Sequence, residues 1–201
     1  MAELTTLDKA AIKRFAIPPR FHGARFDNFA GKANDIPESC YLHGPPGRGK
    51  THLAVAKIKK LLEENPTLQG DERPGSEMDK ETGVFKPLKN LLFWSVPALL
   101  ARIRATYDNS GETEKQVMGI FMGCSYLVLD DLGAEKTTDF VRTTFYQIID
   151  YRYNWLKPTI ITSNLSLDDL ATRFDDRLSS RIAGMCKVMK VDGRDHRLEG
   201  K

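Results

Sequence analysis

The stretch Gly44-Pro45-Pro46-Gly47-Arg48-Gly49-Lys50-Thr51, followed by His52, fits the spacing G-x-x-x-x-G-K-[ST]. Glycines at those positions let the backbone curl so that successive N–H groups point at phosphate oxygens. Lys50 offers a point cation to the β- and γ-phosphates, and Thr51 offers a hydroxyl to Mg²⁺. The plain alternative is a Gly-rich turn. A strand pattern before the motif and a helical pattern after it favour nucleotide binding through residues 44–52.

Three further stretches carry groups that hydrolysis would need. In YLVLDDLGAEK, four apolar residues deliver Asp130 and Asp131 to the C-terminal end of a strand, where ligands of α/β sheets collect. Asp130 is the expected Mg²⁺ partner through water. Asp131 is expected to polarise an attacking water, unless it only caps the next turn. In TIITSNLS, Asn164 would point an amide between the γ-phosphate and that water, or else simply open the turn. In FDDRLSSRIAGM, Leu178, Ile182 and Met185 share one helical face, and Arg177 and Arg181 lie on an adjacent one. Such arginines are either a solvated face or a source of charge stabilisation for a neighbouring subunit's γ-phosphate.

The rest of the chain must place these groups. Strands are expected at Cys40–His43, Leu91–Ser95, Tyr126–Asp130, Thr159–Ser163 and Cys186–Val191, with amphipathic helices at Thr51–Glu64, Pro97–Thr106, Glu114–Met122 and Asp139–Trp155. Alternating strands and helices, with apolar β-branched strands, predict a parallel sheet covered on both faces. Residues 1–36 read as an N-terminal linker segment and 37–201 as the main domain. Residues 65–90, with three prolines and three glycines, read as a long surface loop inserted in it.

Bulk properties exclude several classes. A chain of 201 residues with 41% apolar content fits one domain, and a net charge of +3 announces no polyanion binder by itself. Eight basic residues against five acidic ones between Thr172 and Lys201 still leave a basic end. There Arg173, Arg177, Lys187 and Lys190 could meet phosphates. Cys40, Cys124 and Cys186 form no C-x-x-C pair and read as core thiols of a reduced, cytoplasmic protein. No apolar run is long enough for a signal peptide core or a membrane span.

In order, GPPGRGKT, LVLDDLGAEK, TIITSNLS, RLSSRI and GRDHR resemble AAA+ ATPases of the DnaC/DnaI helicase-loader group and, less closely, the IstB-type transposition ATPases. The similarity spans roughly residues 15–198. It implies a P-loop NTPase with a five-stranded parallel sheet in the order 5-1-4-3-2, flanked by helices and lacking a C-terminal helical lid. It also implies ATP with Mg²⁺ at an interface between self-associated subunits, and ATP hydrolysis coupled to remodelling of DNA and helicase. Asn164 takes the sensor-1 role, Arg181 the arginine finger, and Arg197 the sensor-2 role, with Arg194 as second choice.

The partners implied are single-stranded DNA and a ring-shaped replicative helicase, with no membrane. Loaders of this group usually carry an N-terminal helicase-binding domain, whereas only a few dozen residues precede the core in this sequence. The alternative is a transposition target-selection ATPase acting on duplex DNA, although that group more often reads LDELGY and lacks the paired arginines. A small-molecule kinase would want an Arg-rich lid, and residues 65–90 hold only Arg73.

Overall fold

Tyr41 and its neighbours Cys40 and Leu42 show how the sheet divides the molecule. In the computed structural model, which describes Phe15 and residues 17–29, 33–68, 88–108, 111–193 and 195, all three are fully buried, on opposite faces of one strand. Cys40 and Leu42, with Val128 and Ile160 from other strands, pack against Leu53, Ile58 and Leu61 of the first helix. Tyr41, with Leu127, Leu129 and Ile161, packs against Leu99, Phe121, Phe145 and Ile182 of the later helices. The side-chain period of a strand is two, so alternation of apolar residues on both sides makes a sheet that is covered twice.

The strands are β1 (Cys40–His43), β2 (Leu88–Ser95), β3 (Cys124–Leu132), β4 (Thr159–Ser163) and β5 (Lys187–Lys190). They form one sheet in the order β2-β3-β4-β1-β5, with every pairing parallel. This is the order 5-1-4-3-2 that the resemblance implies. β1 lies between β4 and β5, so the loop after β1 emerges at the carboxyl edge beside the ends of β4 and β3.

The helices are α1 (Lys50–Glu64), α2 (Val96–Ala105), α3 (Glu114–Gly123), α4 (Asp139–Asn154), α5 (Leu167–Arg173) and α6 (Asp176–Met185). Their starts are legible as caps. Thr113 and Ser166 each form a capping box, with Gln116 and Asp169 respectively. Asp175 accepts from the Leu178 N–H at 2.7 Å to open α6. None of the described helices is long and apolar enough to cross a membrane.

Several strand boundaries differ from the sequence reading. β2 starts at Leu88 and β3 runs on to Leu132, because parallel partners outside the short apolar cores supply ladder bonds. Cys186 caps α6 instead of opening β5, its N–H donating to the Ile182 carbonyl at 2.9 Å. The 65–90 loop is anchored at both ends, by a 3-10 turn at Pro66–Leu68 with Leu68 buried, and by the start of β2. Its middle, 69–87, lies outside the described residues.

The described part of 1–36 packs against the core. Phe15, Ile17, Ala24 and Ile36 are buried in the α1 side of the core. Polar bonds strap this segment along α1. His52 Nε2 lies 2.8 Å from the Arg25 carbonyl, and Lys57 and Lys60 hold the two oxygens of Asp35 at 3.0 and 2.7 Å. Burial of those apolar side chains favours this packing.

Arg152 is fully buried. Its Nη1 donates to the carbonyls of Phe121 and Cys124, both at 3.0 Å, its Nη2 to Pro158 and its Nε to Thr159 Oγ1. One side chain thus ties the end of α3 to the starts of β3 and β4, the strands that carry the acidic pair and Asn164. The cysteines are core residues: all three are buried, and burial pushes the Cys40 and Cys186 thiols up to about 12.

Candidate nucleotide site

The loop between β1 and α1 holds its shape through backbone that other residues resist. Gly44 has φ 143, and a Cβ there would come within 2.4 Å of the Val191 carbonyl oxygen. Gly49, the residue before α1, has φ 91, and its Cβ would meet the Phe29 ring at 2.6 Å. Both close approaches demand glycine. Placing Lys50 at the first position of α1 sets the loop at the positive end of a fifteen-residue helix.

Lys50 is buried, and its Nζ donates to the Gly44 carbonyl at 2.7 Å, the Pro45 carbonyl at 2.8 Å and Asn164 Oδ1 at 2.8 Å. Asn164 in turn donates through Nδ2 to Asp131 Oδ1 at 3.4 Å. The P-loop, the end of β4 and the end of β3 therefore meet through three side chains. Asn164 is exposed at a turn fixed from below, where Ser163 Oγ donates to the Leu132 carbonyl and Tyr41 Oη to the Leu165 carbonyl.

The acidic pair divides its tasks by environment. Thr51 Oγ1 and Thr162 Oγ1 both donate to Asp130 Oδ1, at 2.9 and 2.7 Å. Burial raises the Asp130 pKa, and the two threonine hydroxyls oppose that shift. Thr51 and Asp130 are hard oxygen donors at hydrogen-bond distance, a set that suits Mg²⁺ shared with phosphate oxygens. Asp131 is exposed and has φ 68, uncommon for a residue with a side chain. Its N–H donates to Thr162 Oγ1 at 2.8 Å. Thr162 therefore accepts from one aspartate and donates to the other. The T of TSN was its only trace in the sequence.

A cavity of about 550 Å³ opens here, lined by Pro46, Gly47, Gly49, Lys50, Thr51 and His52 from the loop and α1, and by Asp131 and Asn164. Its remaining wall is the N-terminal strap: Arg20, Phe21, Asn28 and Phe29. Sequence reasoning passed over these four, since nothing in IPPRFHGARFDNF fixes where it packs. Phe29 lies 5.8 Å from the His52 ring, centre to centre. Arg48 points elsewhere, donating to the Gly193 carbonyl.

The remaining candidates lie apart. Arg181 is not among the cavity-lining residues; it sits on α6 against α4. Arg173 is half-buried and has two of its donors engaged within the chain. It donates to Thr137 Oγ1 at 3.1 Å and to the Glu135 carbonyl, bracing the turn after β3. Arg194 and Arg197 lie outside the described residues.

A family model for the IstB-like ATP binding protein matches residues 84–201, more than half of the chain. The replicative helicase loader DnaC of Escherichia coli (strain K12) is 25% identical over 166 residues, which cover 81% of this chain and 58% of the relative. The chain thus spans a little over half the length of that loader. A crystal structure of the DnaC helicase loader superposes with a TM-score of 0.64 at 27% identity, over 87% of this chain and 100% of that one. A crystal structure of DnaI, 24% identical, agrees in fold with a TM-score of 0.58 over 89% of this chain and 81% of that one. The architecture is that of AAA+ P-loop ATPases.

Proposed function

The chain belongs to the IstB-like ATP-binding protein family, and from that premise we propose that it hydrolyses ATP as a replication accessory that places a ring-shaped replicative helicase on single-stranded DNA. The observation that carries hydrolysis is the link Lys50–Asn164–Asp131 between the start of α1 and the ends of β4 and β3. A site that only held nucleotide would need the first of these residues and neither of the others.

The loop backbone of Gly44 to Thr51 cradles the phosphates, and Lys50 exchanges neutral carbonyl partners for phosphate oxygens. Mg²⁺, held by Thr51 and through water by Asp130, would neutralise charge on the β- and γ-phosphates. Asp131 accepts a hydrogen bond from the attacking water, and Asn164 holds that water in line with the γ-phosphate. The strap supplies the base side of the cavity, with Phe21 and Phe29 as its apolar surface. Arg181 acts on the γ-phosphate of a neighbouring copy, which accounts for its absence from its own chain's cavity. Arg197 is the candidate contact from the C-terminal segment.

The choice of cargo is supported by the helicase loaders that the chain is similar to. The IstB-like description favours a second reading, a transposition target-selection ATPase acting on duplex DNA. Hydrolysis is tested with Asp131→Asn, expected to bind ATP at wild-type affinity and to release no phosphate. Turnover at the wild-type rate would move water activation to another group. Loading is tested by ATP-dependent co-purification with a ring-shaped replicative helicase on single-stranded DNA, and the absence of any such complex would remove the loader reading.

A further inference from the structure

Arg181 is not a loose surface side chain. Its Nε donates to Asp150 Oδ1 on α4, and its Nη1 donates to the Arg177 carbonyl one turn back at 3.3 Å. The guanidinium carbon lies 4.7 Å from the centre of the Tyr146 ring. Asp150 is itself steadied, since Asn154 Nδ2 donates to its second oxygen at 3.3 Å. Tyr146 and Asp150 stand four residues apart on α4, so they share one helix face. The ring fixes the tilt of the guanidinium plane and the carboxylate fixes its rotation.

Packing alone gives little reason for this arrangement. The Arg181 and Asp150 side chains keep 27% and 31% of their exposure, and an ion pair so placed contributes little to stability. What it does is remove freedom. An unrestrained arginine must order its long side chain each time it meets a phosphate, whereas a planar fork held in advance loses less. Nε is committed to the carboxylate and one Nη1 proton to the Arg177 carbonyl, so the fork meets a phosphate foremost with Nη2.

We infer that Asp150, with the Tyr146 ring behind the guanidinium, is a positioning residue that aims Arg181 at the γ-phosphate bound by a second copy of the chain. This rests on the reading of Arg181 as the finger supplied between subunits. Asp150 touches no nucleotide itself and acts only through Arg181.

The test is steady-state ATP hydrolysis by Asp150→Asn, Asp150→Glu, Arg181→Ala and the Asp150→Asn/Arg181→Ala double variant, with thermal unfolding of each. Asp150→Asn is expected to lower kcat by roughly 10- to 100-fold, with the KM for ATP and the melting temperature unchanged. Asp150→Glu should recover part of the loss, and the double variant should be no slower than Arg181→Ala. Mixing Asp150→Asn with Asp131→Asn protein should restore turnover, because the second supplies an intact finger to the intact site of the first. If Arg181→Ala turns over at the wild-type rate, the finger reading fails and this inference with it. If Arg181→Ala is slow while Asp150→Asn keeps its kcat, or loses it only in step with its melting temperature, the positioning role alone is overturned.

Discussion

Lys50 Nζ lies 2.8 Å from Asn164 Oδ1, a contact between residues 114 positions apart in the chain. Sheet order alone makes it possible: β4 is hydrogen-bonded to β1, in register from Cys40–Ile160 to His43–Ser163, so the residues following each strand emerge side by side. The ammonium thus has a partner just past the end of β4 before any phosphate is offered to it.

That contact separates two variants. Lys50→Ala removes the cation facing the phosphates and should weaken ATP binding roughly 10- to 100-fold, the size of a lost charge-assisted hydrogen bond. Asn164→Ala leaves Lys50 its two carbonyl partners, so ATP affinity should stay near wild type while phosphate release falls. Fluorescence titration with ATP and a phosphate-release assay read the two quantities. Equal affinity in Lys50→Ala would break the assignment of the loop.

A second expectation concerns the strap. If Phe29 covers the base, Phe29→Ala should weaken ATP roughly 5- to 100-fold, as loss of a stacked aromatic does. Affinity for inorganic triphosphate should not change. Calorimetric titration with both ligands is decisive, because a Phe29 that merely supports Gly49 would weaken the two alike.

The third concerns Arg152, whose removal takes the charged donor from the buried carbonyls of Phe121 and Cys124 and leaves Pro158 only the Leu127 N–H. Arg152→Met keeps the volume and loses the bonds, so unfolding in denaturant should show a loss on the order of 4 kcal/mol. For a domain of this size that is a fall in Tm of roughly 8–16 °C. A loss below ~1 kcal/mol would mean that the guanidinium does not tie α3, β3 and β4 together.

How much of this could be read from the chain follows from distance along it. The phosphate loop, the acidic pair and the TSN turn are each local patterns, legible because the residues that build them are neighbours or belong to one strand end. The sheet order came from resemblance, since five similar apolar strands do not state their own sequence of pairing. Arg152 is polar in an amphipathic helix pattern, and only the meeting of α3, β3 and β4 turns it inward. The cavity wall of Arg20, Phe21, Asn28 and Phe29 was hidden for the same reason, as a Pro-rich stretch carries no periodicity to show which face it buries. Arg173 counted as a free charge until the turn after β3 folded beneath it.

The last expectation decides between the two DNA substrates. With Arg173 occupied, the basic residues left exposed at the C-terminal end of the described chain are Arg177, Lys187 and Lys190, the last paired with Asp192 at 2.8 Å. Lys187 and Lys190 are the first and last residues of β5, an edge strand of the sheet, and both are exposed. If all three meet phosphates, log affinity should fall against log salt with a slope of roughly 2 on single strands and ~2.7 on duplex. A Lys187→Ala/Lys190→Ala variant should lose about 1.4 of the single-strand slope, while its ATP affinity stays unchanged. A loader should bind single strands of a few tens of nucleotides in the presence of ATP, hold duplex more weakly, and hydrolyse ATP faster when the single strand is added. Arg181 should be required for that stimulation, because DNA would act by bringing neighbouring copies together at their shared sites. Fluorescence anisotropy across a salt series, with single-stranded and duplex forms of one length, measures all but the last. If duplex binds several-fold tighter, and it alone drives filament growth visible by electron microscopy, the protein is a target-selection ATPase and the helicase is not its cargo.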